Sequence, residues 1–323
     1  MALGNSSKAE TPAPHAGEQI EITGDASTIV PDSSEHPHSP KIAVVLGGGG
    51  CKSLAEIGVL KVFIKNHIPI DYIVGTSAGA IIGALYAANV SIEDIEKMSY
   101  DGSLQRAMSS HVVLHLIGLP FCKIIFFWQP QLYGGLTSSS RLEKFLHKRL
   151  PSDFADLKIP FAAVATDLES GNTCMITSGD LCKAIAASSA VPLLVRPVTI
   201  NDTIFIDGGI KANLPTNCAQ LTKCDLIVAI PADAPIRNEP KRKFRSLKGV
   251  ALRVTNIMEA EIDKYRWKEA DLVIYPNVAD TPGMTKDADI IKRTIEAGEA
   301  AANEALPHLK QLIQSKAVHP DNP

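Results

Sequence analysis

Two consecutive strand–turn–helix units, beginning at Lys41, constrain the fold more than any other feature of this sequence. The first unit is an apolar run at 41–46 (KIAVVL), a glycine-rich turn, and apolar residues at helical spacing between 54 and 64. The second consists of DYIV at 71–74, the turn GTSAGA, and the helical stretch IIGALYAAN at 81–89. Units of this kind predict parallel strands joined by a crossover helix.

The rest of the chain continues the alternation of strands and helices. Further apolar runs bounded by turn residues lie at 159–168, 203–209, 224–231 and 270–276, with helical patterns at 140–150 and 179–190. We therefore predict an α/β fold with a mostly parallel central sheet and helices on both faces.

Domain boundaries follow from composition. Residues 1–40 are rich in Ser, Pro, Glu and His, which predicts a disordered N-terminal tail. We expect one α/β domain over 41–315 and a short C-terminal tail over 316–323.

Charge and cysteine content limit the kinds of partner. The formal net charge of -3 gives no general attraction to nucleic acid. The six cysteines (Cys51, Cys122, Cys174, Cys182, Cys218, Cys224) form no C-x-x-C pair and have no nearby His at ligand spacing, so neither a zinc site nor a disulfide framework is predicted. Without a secretory signal pattern at the N-terminus, we expect a cytoplasmic protein, with peripheral membrane contact as a further expectation.

Two segments could contact a membrane. Residues 112–128 are apolar but are interrupted by His115, Pro120 and Lys123, so they form either a buried core element or an apolar flap, not a span. Residues 237–249 are the densest basic stretch and form either a solvated surface or a patch facing anionic lipid.

The glycine-rich loop LGGGGCKS at 46–53 is compatible with three chemistries. As a phosphate-binding P-loop it has Cys51 where the Gly before Lys52 is required. As a dinucleotide-binding loop it has Ser53 where the last Gly belongs. In the third interpretation, an oxyanion hole, backbone N–H groups stabilise a developing negative charge. Ser53 and Glu56 also match a capping box, which predicts that the Ser53 side chain caps the helix after the loop.

Ser77 is the candidate nucleophile. GTSAG, from Gly75 to Gly79, fits the G-x-S-x-G pattern and lies between a strand pattern and a helix pattern, as a nucleophile elbow requires. Parallel strands would place this turn and the glycine loop at the same sheet edge. For the base there are two candidates: His308, late in the chain, and Asp207, which ends an apolar strand and is followed by two glycines.

Four ordered motifs resemble those of the patatin-like phospholipase family: the glycine loop at 48–53, GTSAG, the segment ASSAVP that ends at Pro192, and Asp207-Gly208-Gly209. The similarity extends over about 41–276. It implies a three-layer patatin-like fold and a Ser-Asp dyad, in which Ser77 attacks a lipid ester and Asp207 accepts its proton. It further implies that the amides of Gly48, Gly49, Gly50, Cys51 and Lys52 hold the oxyanion, and that no metal or organic cofactor is needed.

The resemblance implies a phospholipid or lysophospholipid substrate and a phospholipase A or lysophospholipase activity. Acyl transfer to an acceptor other than water, nucleotide binding by a P-loop, and a non-catalytic lipid-binding role remain alternatives. The sequence departs from the family pattern at Ser53, which replaces the closing Gly, and at Glu56, where relatives often carry His. A capping Ser53 and a charged Glu56 beside the oxyanion hole would both weaken it.

Overall fold

A computed structural model describes residues 19–24, 39–108, 135–232, 236, 238–245 and 247–318. The apolar segment 112–128, Cys122 and Arg237 lie outside these residues.

The strands are β1 Ile20–Thr23, β2 Ile42–Leu46, β3 Tyr72–Thr76, β4 Gly135–Thr137, β5 Phe161–Asp167, β6 Thr173–Ile176, β7 Leu193–Val195, β8 Val198–Ile200, β9 Thr203–Asp207, β10 Leu226–Ile230 and β11 Leu272–Val273. The α-helices are α1 Ala55–Lys65, α2 Ala78–Ala87, α3 Ile92–Tyr100, α4 Ser103–Met108, α5 Ser140–Leu146, α6 Leu181–Ser188, α7 Gly209–Ala212, α8 Thr216–Gln220, α9 Leu247–Arg266 and α10 Ala288–Val318. Short 3-10 helices occupy Gly50–Leu54, Phe154–Asp156, Lys241–Arg245 and Trp267–Glu269.

The main sheet has the order β1-β6-β5-β3-β2-β10-β11, and the hairpin of β8 and β9 joins it through β5. The pairs from β5 through β3, β2 and β10 to β11 are all parallel, whereas β6 and β9 are antiparallel to β5. The mostly parallel central sheet predicted from the sequence is thereby confirmed.

Both faces of the sheet are covered. Alternate residues of β2 belong to two separate hydrophobic clusters: Ile42, Val44 and Leu46 pack with residues of α1, α2 and α6, while Ala43 and Val45 pack with residues of α7 and α8. This alternation is the consequence of the two-residue period of a strand, and it explains why β2 is apolar throughout. The result is the predicted three-layer arrangement.

Strands β3 and β9 approach each other end to end along one edge of β5. Strand β3 pairs with the first part of β5, where Thr76 lies opposite Val164, and β9 pairs with the next part, where Asp207 lies opposite Ala165. Strand β6 pairs with both parts of β5 and so occupies its other edge. Because β3 and β9 run in opposite directions, their carboxyl ends converge, which brings the residues after Thr76 close to Asp207.

Two of the predicted boundaries require correction. Ile20–Thr23, inside the predicted disordered tail, forms β1 and pairs in parallel with β6. Main-chain hydrogen bonding to the edge strand β6 orders these four residues, although the composition of residues 1–40 as a whole predicts disorder. At the other end, α10 continues to Val318, beyond the predicted end of the domain at 315. No helix in the described part of the chain is long and apolar enough to cross a membrane.

Candidate active site

Ser77 lies at the sharp turn between β3 and α2, in the backbone conformation expected of a nucleophile elbow. Its φ is 54°, in the left-handed region that non-glycine residues rarely adopt. Its backbone N–H donates to Ser188 Oγ (3.0 Å), and its carbonyl accepts from Ser189 Oγ (3.2 Å). These two hydrogen bonds from the ASSAVP segment stabilise the strained turn.

The Ser77 hydroxyl donates a hydrogen bond to Asp207 Oδ2 at 2.7 Å. Asp207 is only 5% exposed, and its second carboxylate oxygen, Oδ1, accepts the Gly209 N–H at 2.8 Å. Burial raises the pKa of Asp207 to about 6, although the hydrogen bonds from Gly209 and Ser77 oppose the shift. A serine hydroxyl paired with a carboxylate whose pKa is raised toward neutrality can be activated for nucleophilic attack.

The glycine loop lies against Ser77, as the parallel pairing of β2 and β3 predicts. A Cβ atom on Gly48 would lie 3.2 Å from Ser77 Cβ and 2.5 Å from Asn213 Oδ1, so this position needs a glycine. Gly50 has a φ of +60°, and a Cβ there would lie 2.3 Å from the Gly283 carbonyl oxygen. The loop is therefore enclosed by backbone on one side and by Ser77 on the other.

The predicted set of five oxyanion-hole amides must be reduced. Three of the five already donate hydrogen bonds within the protein: Gly48 N–H to Asn213 O, Cys51 N–H to Gly283 O, and Lys52 N–H to Gly49 O. These amides are unavailable because loop closure uses them. Among the described residues, neither the Gly49 nor the Gly50 N–H donates to a protein acceptor. Two adjacent amides thus remain to receive a negative charge.

The predicted capping box at Ser53 and Glu56 does not form. Helix α1 has Leu54 at its N-cap, with no side-chain cap hydrogen bond. The buried Ser53 hydroxyl instead donates to the Gly47 carbonyl oxygen at 3.0 Å. The 3-10 helix Gly50–Leu54 shifts the start of α1 beyond Ser53, which removes the capping geometry. The hydroxyl that a P-loop would direct to a bound metal is therefore already engaged in the loop itself.

Glu56 is fully buried, and neither carboxyl oxygen has a hydrogen-bond partner in the described part of the chain. Burial raises its pKa well above the ordinary value, and the backbone at Gly47 opposes this shift only in part. Burial thus disfavours the charged form of Glu56, which acts against the negative charge expected beside the glycine loop.

Several supporting residues were not identified from the sequence. Asn213 Nδ2 donates to Asp263 Oδ2 at 2.8 Å, and the Leu214 N–H donates to the other oxygen of the same carboxylate. The Asn213 carbonyl in turn accepts the Gly48 N–H. No local pattern marks these partners, because Asp263 and Gly283 are far along the chain from the residues that they contact.

The other candidate base, His308, is exposed on α10, a helix that packs against α1. No histidine within the described ranges hydrogen-bonds to Ser77 or Asp207.

One group of three side chains in the described residues could hold a metal ion: His147, Asp180 and Cys182, with ligand atoms within 4.8 Å of one another. Asp180 already caps α6 by accepting the Lys183 N–H, and burial raises the pKa of Cys182 to about 12, which disfavours the thiolate that a metal needs. The group lies at the opposite end of α6 from Ser188.

Fold and site together define an α/β protein in which a strained serine is paired with a buried carboxylate next to a glycine loop. The family model described as patatin-like phospholipase matches residues 44–219, more than half of the chain. The chain belongs to the patatin-like phospholipase family. The matched range includes the glycine loop, Ser77, the ASSAVP segment and Asp207.

Curated relatives share this part of the chain. A Mycobacterium tuberculosis H37Rv protein described as an uncharacterized NTE family protein is 28% identical over 192 residues, covering 59% of this chain and 49% of the relative. Patatin-like phospholipase domain-containing protein 6 of Homo sapiens is 29% identical over 191 residues, covering 58% of this chain and 13% of the relative. The chain thus spans about half the length of the mycobacterial relative and a much smaller part of the human one.

Solved structures give weaker similarities. Human GIVD cytosolic phospholipase A2, in complex with methyl gamma-linolenyl fluorophosphonate and terbium chloride, matches with a TM-score of 0.47 at 12% identity, over 91% of this chain and 62% of that one. VipD from Legionella pneumophila matches with a TM-score of 0.46 at 14% identity, over 86% and 67% of the two chains. The family assignment does not depend on either.

Proposed function

We propose that this protein is a serine acyl hydrolase that cleaves carboxylic esters of phospholipids or lysophospholipids through a Ser77–Asp207 dyad. The observation that carries the proposal is the 2.7 Å hydrogen bond from the Ser77 hydroxyl to the buried carboxylate of Asp207. Membership of the patatin-like phospholipase family supports a lipid substrate.

The proposed reaction has two stages. Ser77 Oγ attacks the ester carbonyl carbon while Asp207 Oδ2 takes the hydroxyl proton. The tetrahedral intermediate collapses to an acyl-enzyme, and the proton on Asp207 passes to the departing alcohol. In the second stage Asp207 takes a proton from water, the resulting hydroxide cleaves the acyl-serine ester, and the proton returns to Ser77.

The N–H groups of Gly49 and Gly50 are the proposed oxyanion hole. They are adjacent and have no acceptor among the described residues. Gly49 is the N-cap and Gly50 the first residue of a 3-10 helix, whose N-terminal end favours negative charge. The burial of Glu56 supports this assignment, since burial raises the pKa of its carboxyl group and so disfavours a negative charge that would oppose the developing oxyanion.

Membrane contact through the basic stretch at 237–249 and the apolar segment at 112–128 belongs to the same proposal. The five residues of the 3-10 helix Lys241–Arg245 are exposed, which leaves their charges accessible to anionic lipid headgroups. The Ser77–Asp207 dyad would also serve a transacylase, because only the acceptor of the acyl group differs.

The test is release of fatty acid from a panel of phospholipids, lysophospholipids and neutral glycerolipids. Wild type is compared with Ser77→Ala and Asp207→Asn, with and without an added alcohol or lysolipid acceptor. Hydrolysis by the wild type alone is expected. Product acylated on the acceptor in preference to free fatty acid would replace hydrolysis with transacylation, and an active Ser77→Ala variant would refute the proposal.

A further inference from the structure

Several apolar side chains of the long helix α9 are exposed and two of its charged side chains are buried. In an ordinary surface helix the apolar side chains are buried and the charged ones are exposed. Its exposed apolar residues are Val250, Val254, Ile257, Met258 and Tyr265, which are 42%, 49%, 45%, 48% and 49% exposed. Their spacing places them on one face of the helix. Among the α9 side chains that the structure describes, the buried ones are instead the charged residues Asp263 and Arg266.

Polar contacts attach α9 to the rest of the domain. Asp263 accepts hydrogen bonds from Asn213 and from the Leu214 N–H, and the Arg266 carbonyl accepts one from the Thr216 hydroxyl. Val250, Val254, Ile257 and Met258 lie on the opposite side of the helix from these contacts, and the exposed Glu261 is a charged residue of that side. An exposed cluster of apolar side chains of this kind marks an interaction site.

Positive charge adjoins this face. The 3-10 helix Lys241–Arg245 has four exposed basic residues, and its one apolar residue, Phe244, is 36% exposed. A shallow hollow lined by Phe244, Val250 and Val254 joins the two helices into one surface. Of these four cations, Lys243 pairs with Glu239 at 2.6 Å.

Helix α9 lies beside the candidate active site, and the side that faces it is opposite the exposed apolar residues. Helix α9 packs on α7, which begins two residues after Asp207. A Cβ atom on Gly209 would lie 3.3 Å from Glu259 Oε1, so α9 passes directly next to the residue whose N–H binds the Asp207 carboxylate.

We propose that the outer face of α9, together with the basic 3-10 helix, is a docking surface for an anionic lipid bilayer. An apolar helical face next to clustered Lys and Arg fits the boundary between anionic headgroups and acyl chains. Docking in this way leaves the α9 helix between the bilayer and the residues that hold Asp207; the use of that position as a source of substrate rests on the proposed function.

The test is flotation of the full chain with vesicles of phosphatidylcholine alone or mixed with phosphatidylglycerol. Every protein carries Ser77→Ala, so that lipid hydrolysis does not alter the vesicles. Three variants are compared: Val254→Ser/Ile257→Ser/Met258→Ser, Lys241→Gln/Arg242→Gln/Lys243→Gln/Arg245→Gln, and the control Ile64→Ser. Ile64 is 43% exposed, a fraction similar to the 45% of Ile257. It lies at the C-terminal end of α1, far from the sheet edge that carries Ser77.

We expect binding to phosphatidylglycerol vesicles that falls at least about tenfold in the α9 triple variant and in the basic variant, and stays unchanged in Ile64→Ser. Added salt should weaken the binding of the wild-type surface. Thermal unfolding checks the integrity of each variant; if the triple variant unfolds early, Ile257→Ser alone should still lower binding.

Equal binding of the α9 variants and the Ile64→Ser control would overturn the proposal, as would preference for neutral vesicles. A dimer in solution that the triple variant converts to monomer, without vesicle binding, would assign the face to a second copy instead. Ester hydrolysis by the protein with native Ser77 is measured separately, so loss of docking and loss of the proposed activity are distinct results.

Discussion

The Ser77 hydroxyl and the Asp207 carboxylate are joined at 2.7 Å because β3 and β9 end against each other on one edge of β5. In the proposed mechanism, this contact couples the ionisation of one buried carboxyl group to the reactivity of one hydroxyl. Most of the following predictions depend on it.

Activity should depend on the ionisation of Asp207. Since burial raises the pKa of this carboxyl group to about 6 and the base must be ionised, kcat/KM should rise with pH through about 6 and then level off. The measurement is a pH profile with a soluble ester substrate. A profile that does not change between about pH 5 and pH 7, or one abolished by His308→Ala, would contradict the assignment.

Stability should show the opposite dependence on pH. The pKa of Asp207 is about 6 in the folded protein, higher than the ordinary value of 3.8. The stabilising contribution of this carboxyl group to folding is therefore fully present below pH 3.8 and is lost as the pH rises through about 6. Asp207→Asn removes this loss. Its free energy of unfolding relative to wild type should therefore increase between acidic and neutral pH by up to about 3 kcal/mol. Urea unfolding at both pH values measures the difference, and a constant difference would argue against a raised pKa.

Glu56→Gln should leave the reaction nearly unchanged. Because burial raises the pKa of Glu56 and disfavours its charged form, we expect the amide to replace an uncharged carboxyl group of the same size. We expect kcat/KM at pH 7 within about threefold of wild type. A rise of an order of magnitude or more would show that Glu56 is ionised and opposes the oxyanion.

Gly50→Ala should inactivate the enzyme far more than Gly171→Ala. Both glycines have positive φ, +60° and +72°, so both variants incur backbone strain. Only at Gly50 would the new Cβ meet the Gly283 carbonyl and displace the loop; at Gly171 nothing lies within 4 Å. Loss of a properly placed oxyanion donor lowers kcat by about 10²–10³-fold. Similar activity in the two variants would remove the glycine loop from the proposed mechanism.

Local sequence patterns were sufficient to predict the main elements of the fold and the turn that carries Ser77, whereas the choice of Asp207 over His308 came from the resemblance to the patatin-like family. Apolar periodicity and turn residues identified β2, α1, β3 and α2, because those signals lie within one element and its turn. That β9 would run antiparallel to β5 was not predictable in this way, since strand direction depends on the connection through β8.

The fine structure of the glycine loop depended on distant contacts. Ser53 matched a helix cap by spacing, but its hydroxyl donates to Gly47. The loop closes on Asn213 and Gly283, which accept the Gly48 and Cys51 N–H groups. Similarly, the buried polar side of α9 follows from the contact of Asp263 with Asn213. Neither contact leaves a periodic signal in the sequence.

The most direct test of the Ser77–Asp207 dyad is the site and rate of covalent modification by a fluorophosphonate, followed by intact mass and peptide mapping. We predict a single adduct on Ser77 in the wild type, none in Ser77→Ala, much slower labelling in Asp207→Asn, and no effect of added ATP. An adduct on another residue, or labelling of Asp207→Asn at the wild-type rate, would contradict the account.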